Sequence, residues 1–210
     1  MADHDQLIDA LCRSAVPVRR PLPTIARTAI WTCLALPCGV LATLVLHHGW
    51  TDWAQPGAVW PMIALVLSFI LGTLGIATAF DLGIAGRKVT GRRVFVPLMA
   101  AWLAASVMSI AASPEPVGRI GSGTYCYSFM VLASLPMIPL AIAALRRTRA
   151  LRPGRTLAVA GLGIAFMTSG LLMLCHSVDE QMVDFMMHLA AAGTIVAATV
   201  RLGWRWVQVR

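Results

Sequence analysis

The chain has 210 residues, of which 58% are hydrophobic and 12% charged, and its net charge is +8. It is too apolar for a soluble domain of that size. No aromatic-basic interleaving marks a nucleic-acid surface, so the positive charge reads as loops facing anionic headgroups, with no direct nucleic-acid partner and no small-molecule substrate.

Residues 3–16, DHDQLIDALCRSAV, open the chain as a short helix. Leu7, Ile8 and Leu11 form an apolar strip at i, i+1 and i+4, while Asp3 and Asp5 suit the N-terminal turn. The proline-rich, basic segment PVRRPLP, residues 17–23, follows as a stiff extended stalk. A partner-binding helix, an interfacial helix and a disordered tail are all open readings of residues 1–25. Three acids on so short a helix weaken the interfacial one, because anionic lipid repels them.

Six hydrophobic windows come next, at 27–47, 59–80, 94–112, 124–145, 156–175 and 182–202. Each is long enough to cross ~30 Å of hydrocarbon at ~1.5 Å per residue. The expected fold is therefore all-α: a polytopic bundle of six transmembrane helices over 26–205, with a tail at 1–25 and a short end at 206–210. The first window has no small-residue cleavage site after it and reads as a span, not a leader.

The first span holds Cys33, Pro37 and Cys38, whose thiols do not share a face and read as small buried residues at helix contacts. The second has Gly72 and Gly75 for close packing, then Asp81 among arginines as a neutralising anchor. The third is rich in alanine and serine, with Ala100, Ala101, Ala104, Ala105, Ser106 and Ser109, so two of its faces can pack. The fourth carries Pro136 and Pro139, which should break it and free carbonyls near Leu132 and Leu135. Trp31, Trp50, Trp53, Trp60, Trp204 and Trp206 fall near window edges and read as an aromatic belt.

Charge gives these windows a direction. Arg13, Arg19, Arg20 and Arg27 precede or open the first. Arg87, Lys88, Arg92 and Arg93 sit in the second connection, and five arginines between Arg146 and Arg155 fill the fourth. Arg201, Arg205 and Arg210 close the chain, whereas the first, third and fifth connections hold a single basic residue, Arg119. The positive-inside rule then puts both termini in the cytoplasm. The third connection, SPEPVGRIGSG, has no strand before it and no Lys-Ser/Thr after its glycines, so it is not a phosphate loop.

The same topology gathers a polar cluster on the opposite face. Cys126 opens the fourth span, Cys175 and His176 end the fifth, and Asp184 and His188 lie four apart on one face of the sixth. Three readings stay open: a structural disulfide between Cys126 and Cys175, a regulatory thiol pair tuned by Asp184 and His188, or a zinc or copper site drawn from Cys126, Cys175, His176 and His188. The spacings match no standard zinc pattern, and no other cofactor is implied. Charged groups at this depth should be paired. With no CxxC and only one outer cysteine pair, a thiol oxidoreductase lacks its parts, and an enzyme is not expected. A small ion or metal transporter would need a continuous polar path, and almost nothing charged lies between Asp184 and Asp81.

Taken in order, LIDAL at 7–11, PVRR at 17–20, Trp31, Gly123 and Cys126, LP at 135–136, LRR at 145–147, the Pro153 loop, Cys175 and His188 resemble a known family. It is the bacterial membrane anti-sigma family of the negative regulator of sigma F type. The resemblance covers nearly the whole chain. This chain departs from it with Met187 in place of a tryptophan, and His176 has no counterpart there. The resemblance implies a six-span inner-membrane protein whose cytoplasmic N-terminus holds an extracytoplasmic-function sigma factor, releasing it on envelope, metal or oxidative stress. The family's two characteristic cysteines map onto Cys126 and Cys175. Leu7, Ile8 and Leu11 would anchor the sigma factor, with Arg13 and the helix acids selecting the partner.

Overall fold

The computed structural model describes residues 2–14, 21–46, 49–87, 92–114, 117, 124–148 and 150–208. The basic stalk at 17–20 and most of the third connection lie outside the described residues. Among the described residues eight helices form: α1 (Ala2–Ser14), α2 (Thr24–Leu46), α3 (Val59–Leu82), α4 (Arg92–Ala112), α5 (Thr124–Ser134), α6 (Met137–Leu145), α7 (Pro153–Met173) and α8 (Met182–Val207). With α5 and α6 counted as one span, six stretches of 20–26 residues are long and apolar enough to cross a membrane. The chain is thus an all-helical, multi-pass membrane protein, as its composition leads one to expect.

The interrupted fourth span shows how local chemistry sets an element. Pro136 has no N–H to offer the Leu132 carbonyl four residues back. The Leu135 N–H takes that carbonyl instead, at 3.2 Å, closing α5 in a tight turn before α6 begins. The carbonyl is satisfied within its own turn, so no polar crevice is needed there. α7 starts three residues before the expected window, with Pro153 in its first turn, where a missing N–H is harmless. α8 runs on to Val207, five residues past its window.

α7 is the axle of the bundle, with 83% of its membrane window buried. It lies mainly against α3 and α8, with α5 as a lesser neighbour. Glycines set the spacing. A Cβ added to Gly163 would sit 2.9 Å from both the Gly72 oxygen and the Ile76 nitrogen, and one on Gly75 would sit 2.8 Å from the Gly163 Cα. Both obstacles are backbone, so only glycine permits this approach. Gly161 does the same toward α8, where a Cβ would meet the Val196 Cα at 2.8 Å.

Three expectations change. α4 packs through one face only: Ala105, Ser106 and Ser109 are buried, whereas Ala100, Ala101 and Ala104 are exposed. It sits at the edge of the bundle, and its inward ridge is organised by Trp102, whose indole N–H donates to Ser68 at 2.9 Å. Cys33 is exposed and Cys38 half-buried, so neither is the small contact residue of α2; Gly39 is, against Leu171 and Met137. Trp31 is 3% exposed and belongs to the core instead of an interfacial belt. The reason is common to all three. A lipid-facing surface tolerates cysteine and alanine as readily as leucine, so composition does not reveal which face turns inward.

The bundle has two ends. Residues 24–27, 80–87, 148, 150–154 and 204–208 meet at the basic end. There Thr24 reaches Asp81, Arg27 donates to the Phe80 carbonyl at 3.4 Å, and Ala150 pairs with Gln208. Residues 46, 49–51, 124–126 and 173–188 meet at the cysteine end. There the Tyr125 hydroxyl donates to the Leu46 carbonyl at 2.6 Å, and the Thr51 N–H to that of Leu174 at 3.1 Å.

Candidate functional site

At the cysteine end, four separate segments converge. Cys126 lies in the first turn of α5 and is 2% exposed. Asp184 and His188 sit one helical turn apart in α8, both 5% exposed and facing the bundle. His176 is held in the turn that follows α7. The Leu174 and Cys175 N–H groups extend α7 by donating to Leu171 and Leu172, and the Thr51 hydroxyl points at the carbonyls of Met173 (2.8 Å) and His176 (2.7 Å). The 173–176 turn is therefore pinned by a residue over 120 positions away.

The polar side chains address one another. Cys126 Sγ lies 4.0 Å from Asp184 Oδ1, and His176 Nε2 lies 3.8 Å from Asp184 Oδ2. His176 Nδ1 is 2.9 Å from the Ser177 carbonyl oxygen. A carbonyl only accepts, so Nδ1 carries a proton, and Nε2 is the nitrogen turned toward Asp184. His188 Nδ1 faces Glu180 Oε1 at 3.5 Å, and the two imidazole rings stand edge to face with centroids 6.0 Å apart. Beside them is a cavity of about 20 Å³ bounded by Thr51, Pro61, Met173, His176, Glu180 and His188. That is room for one water-sized guest.

Glu180 is the member that sequence reasoning missed. It precedes α8, outside any helical period, and reads from the sequence as a loop acid. In the fold it is 6% exposed, and its Oε1 has no hydrogen-bond partner. Its spacing of eight residues from His188 was the available signal, two turns on a helix, but the helix does not extend back that far.

The two cysteines part company. Both are free thiols. Cys126 points at the Asp184 carboxylate, whereas Cys175 Sγ turns back on its own chain, 3.3 Å from the Leu172 carbonyl and 3.9 Å from that of Leu171. Burial raises the Cys175 thiol to about 11, so it stays protonated at neutral pH.

The basic end is arranged differently. Asp81 accepts a hydrogen bond from the Thr24 hydroxyl and pairs with Arg87 Nε at 3.0 Å. Arg27 stacks over the Phe80 ring at 4.4 Å. These groups tie α2, α3 and the second connection together, the anchoring role the sequence suggests for Asp81. Beyond them stands α1. Every described side chain from His4 to Ser14 is exposed, with Leu7 and Ile8 at 56% and Leu11 at 60%. Arg13 Nε donates to the Asp9 carbonyl at 3.4 Å, closing the helix C-terminus on itself.

Fold and composition thus define a polytopic helical membrane protein with a polar cluster at one end and an uncovered amphipathic helix at the other. No protein-family model, no curated protein and no solved structure matches the chain.

Proposed function

We propose that this chain is a transmembrane anti-sigma factor of the bacterial inner membrane. It holds an extracytoplasmic-function sigma factor through α1 and releases it when the opposite face senses envelope, metal or oxidative stress. The observation that carries this reading is α1 itself, whose apolar strip of Leu7, Ile8 and Leu11 is bare on a helix attached to a bundle with its own full core. Such a strip is built to enter a groove on another protein, and each leucine-sized side chain it buries contributes about 1.5–3 kcal/mol. Asp5 and Asp9 flank the strip and match a basic groove better than an anionic bilayer.

The charge pattern supports the same direction. The basic end carries the arginine-rich connections, which the positive-inside rule assigns to the cytoplasm, where a sigma factor is. The cysteine end then faces the envelope, an oxidising side. Between the two ends the interior is filled by Leu71, Ile76, Ile164, Met167 and Leu171, all at most 1% exposed. A packed apolar interior suits a signalling bundle and disfavours an ion path.

Affinity capture of the membrane-embedded chain, with and without residues 1–16, tests the reading. The full chain should retain a small sigma factor of its own genome, and the truncated chain should insert equally well and retain none. Undiminished capture by the truncated chain would sink the role of α1. Labelling of Cys12 by an impermeant maleimide in intact cells would sink the orientation.

A further inference from the structure

The cysteine end carries a specific chemistry that the sequence spacings do not. Ligand-capable atoms of Cys126, His176 and His188 lie within 4.8 Å of one another. In a tetrahedral site with bonds of ~2.0–2.3 Å, neighbouring ligand atoms are ~3.3–3.6 Å apart, so these three need to draw in by at most ~1.5 Å. A second, independent observation points the same way. His188 Nε2 is buried without any hydrogen-bond partner on a residue only 5% exposed. A buried imidazole nitrogen left open is costly unless something occupies it.

The outer contacts have the form that metal-binding histidines use. His188 Nδ1 faces the Glu180 carboxylate, and His176 Nδ1 donates to the Ser177 carbonyl. In each ring that leaves Nε2 as the nitrogen available to an ion. Asp184 stands 3.8–4.0 Å from two of the three ligand atoms. Loss of the Cys126 proton would place a thiolate beside the Asp184 carboxylate, a charge that a bound cation balances.

We propose that Cys126, His176 and His188 bind one thiophilic metal ion of the Zn²⁺ or Cu⁺ kind. On binding, the Cys126 S–H bond is exchanged for a sulfur–metal bond and the proton leaves to solvent. Cys175 is outside the set, because its sulfur is turned to the carbonyls of its own helix. The site joins α5, the end of α7 and α8, so occupancy draws three elements together at one end of the bundle. As the input of the anti-sigma switch this inference rests on the function proposed above. As a binding site it does not, and its test reads metal on the purified chain with no sigma factor present.

Full-length protein in detergent, stripped with a chelator, is titrated with Zn²⁺ against a competing indicator, and separately with Cu⁺ under anaerobic, reducing conditions. One ion per chain should bind in at least one titration. Cys126→Ser and His188→Gln should each weaken it by roughly tenfold or more, while Cys175→Ser should leave it unchanged. X-ray absorption of the loaded wild-type chain should give one sulfur with nitrogen or oxygen neighbours, a readout that does not depend on any variant folding. The proposal is overturned if neither ion binds at one per chain. It is equally overturned if Cys126→Ser binds like wild type, if Cys175→Ser abolishes binding, or if the absorption spectrum requires two sulfurs.

Discussion

Asp81 and Asp184 are carboxylates at opposite ends of one bundle, and their surroundings differ in kind. Asp81 has the Thr24 hydroxyl and Arg87 Nε at hydrogen-bonding distance, an arrangement already complete. Around Asp184 the neighbours wait at 3.8–4.0 Å, while His188 Nε2 and Glu180 Oε1 have no hydrogen-bond partner. Folding alone rewards closed pairs, because an unpaired buried polar group costs about 1–3 kcal/mol. Under the metal-site proposal the open cluster is kept for a guest and the closed pair for the fold. The contrast is one of geometry: closed contacts at Asp81, longer ones at Asp184.

The largest expected effect comes from breaking the axle that holds both ends. Gly163→Val places methyl groups against the backbone of Gly72 and Ile76, which cannot give way. α3 and α7 must part, and monodisperse protein should be lost in detergent size-exclusion chromatography. Gly193→Ala meets nothing within 4 Å and should elute as wild type, the control that ties the loss to contact and not to glycine as such. Next in size, Leu7→Asp with Leu11→Asp should lower sigma-factor capture at least ~100-fold while leaving metal binding intact. A parallel loss of metal would join two ends that the structure keeps apart.

A smaller pair of effects sharpens the comparison of carboxylates. Glu180→Gln should weaken metal binding by ~10-fold or more through the orientation of His188, with little change in stability. Asp81→Asn should do the reverse, lowering Tm by ~2–4 °C and leaving metal affinity alone. If Asp81→Asn weakened metal instead, the anchor and the site would not be separate. The smallest effect concerns Cys175. Burial lifts its thiol to about 11, so the reactive thiolate is scarce at pH 7 and its share grows about tenfold per pH unit up to pH ~9. Maleimide labelling of Cys175 in the Cys12→Ser/Cys33→Ser/Cys38→Ser/Cys126→Ser background should rise accordingly. A flat profile over that range would mean that the thiol is not held as the structure has it.

Much of this was legible in the chain. Spans are set by a one-dimensional quantity, the run of apolar residues against a fixed hydrocarbon thickness, so all six appear in the sequence to within a few residues. The two ends follow from counting spans, and α1 from a periodic strip with nothing to bury it. The break in the fourth span follows from Pro136, a local effect.

Facing is what the sequence by itself did not determine. Every surface of a membrane helix is apolar, so the hydrophobic period that orients a soluble helix is silent: against expectation Cys33, Ala100, Ala101 and Ala104 face outward and Trp31 inward, while Ala105 packs as expected. For the same reason the sequence put Cys126 and Cys175 at one depth without showing which groups address them; in the fold His176 and His188 lie with Cys126, and Cys175 Sγ contacts the Leu172 carbonyl. It also brought in Glu180, a loop acid with no period to mark it. Length and hydropathy decided that the chain crosses the membrane six times and what lies at each end. Rotation of each helix about its own axis decided which of those residues touch, and that depends on glycine contacts between α3, α7 and α8 which exist only when the bundle is packed.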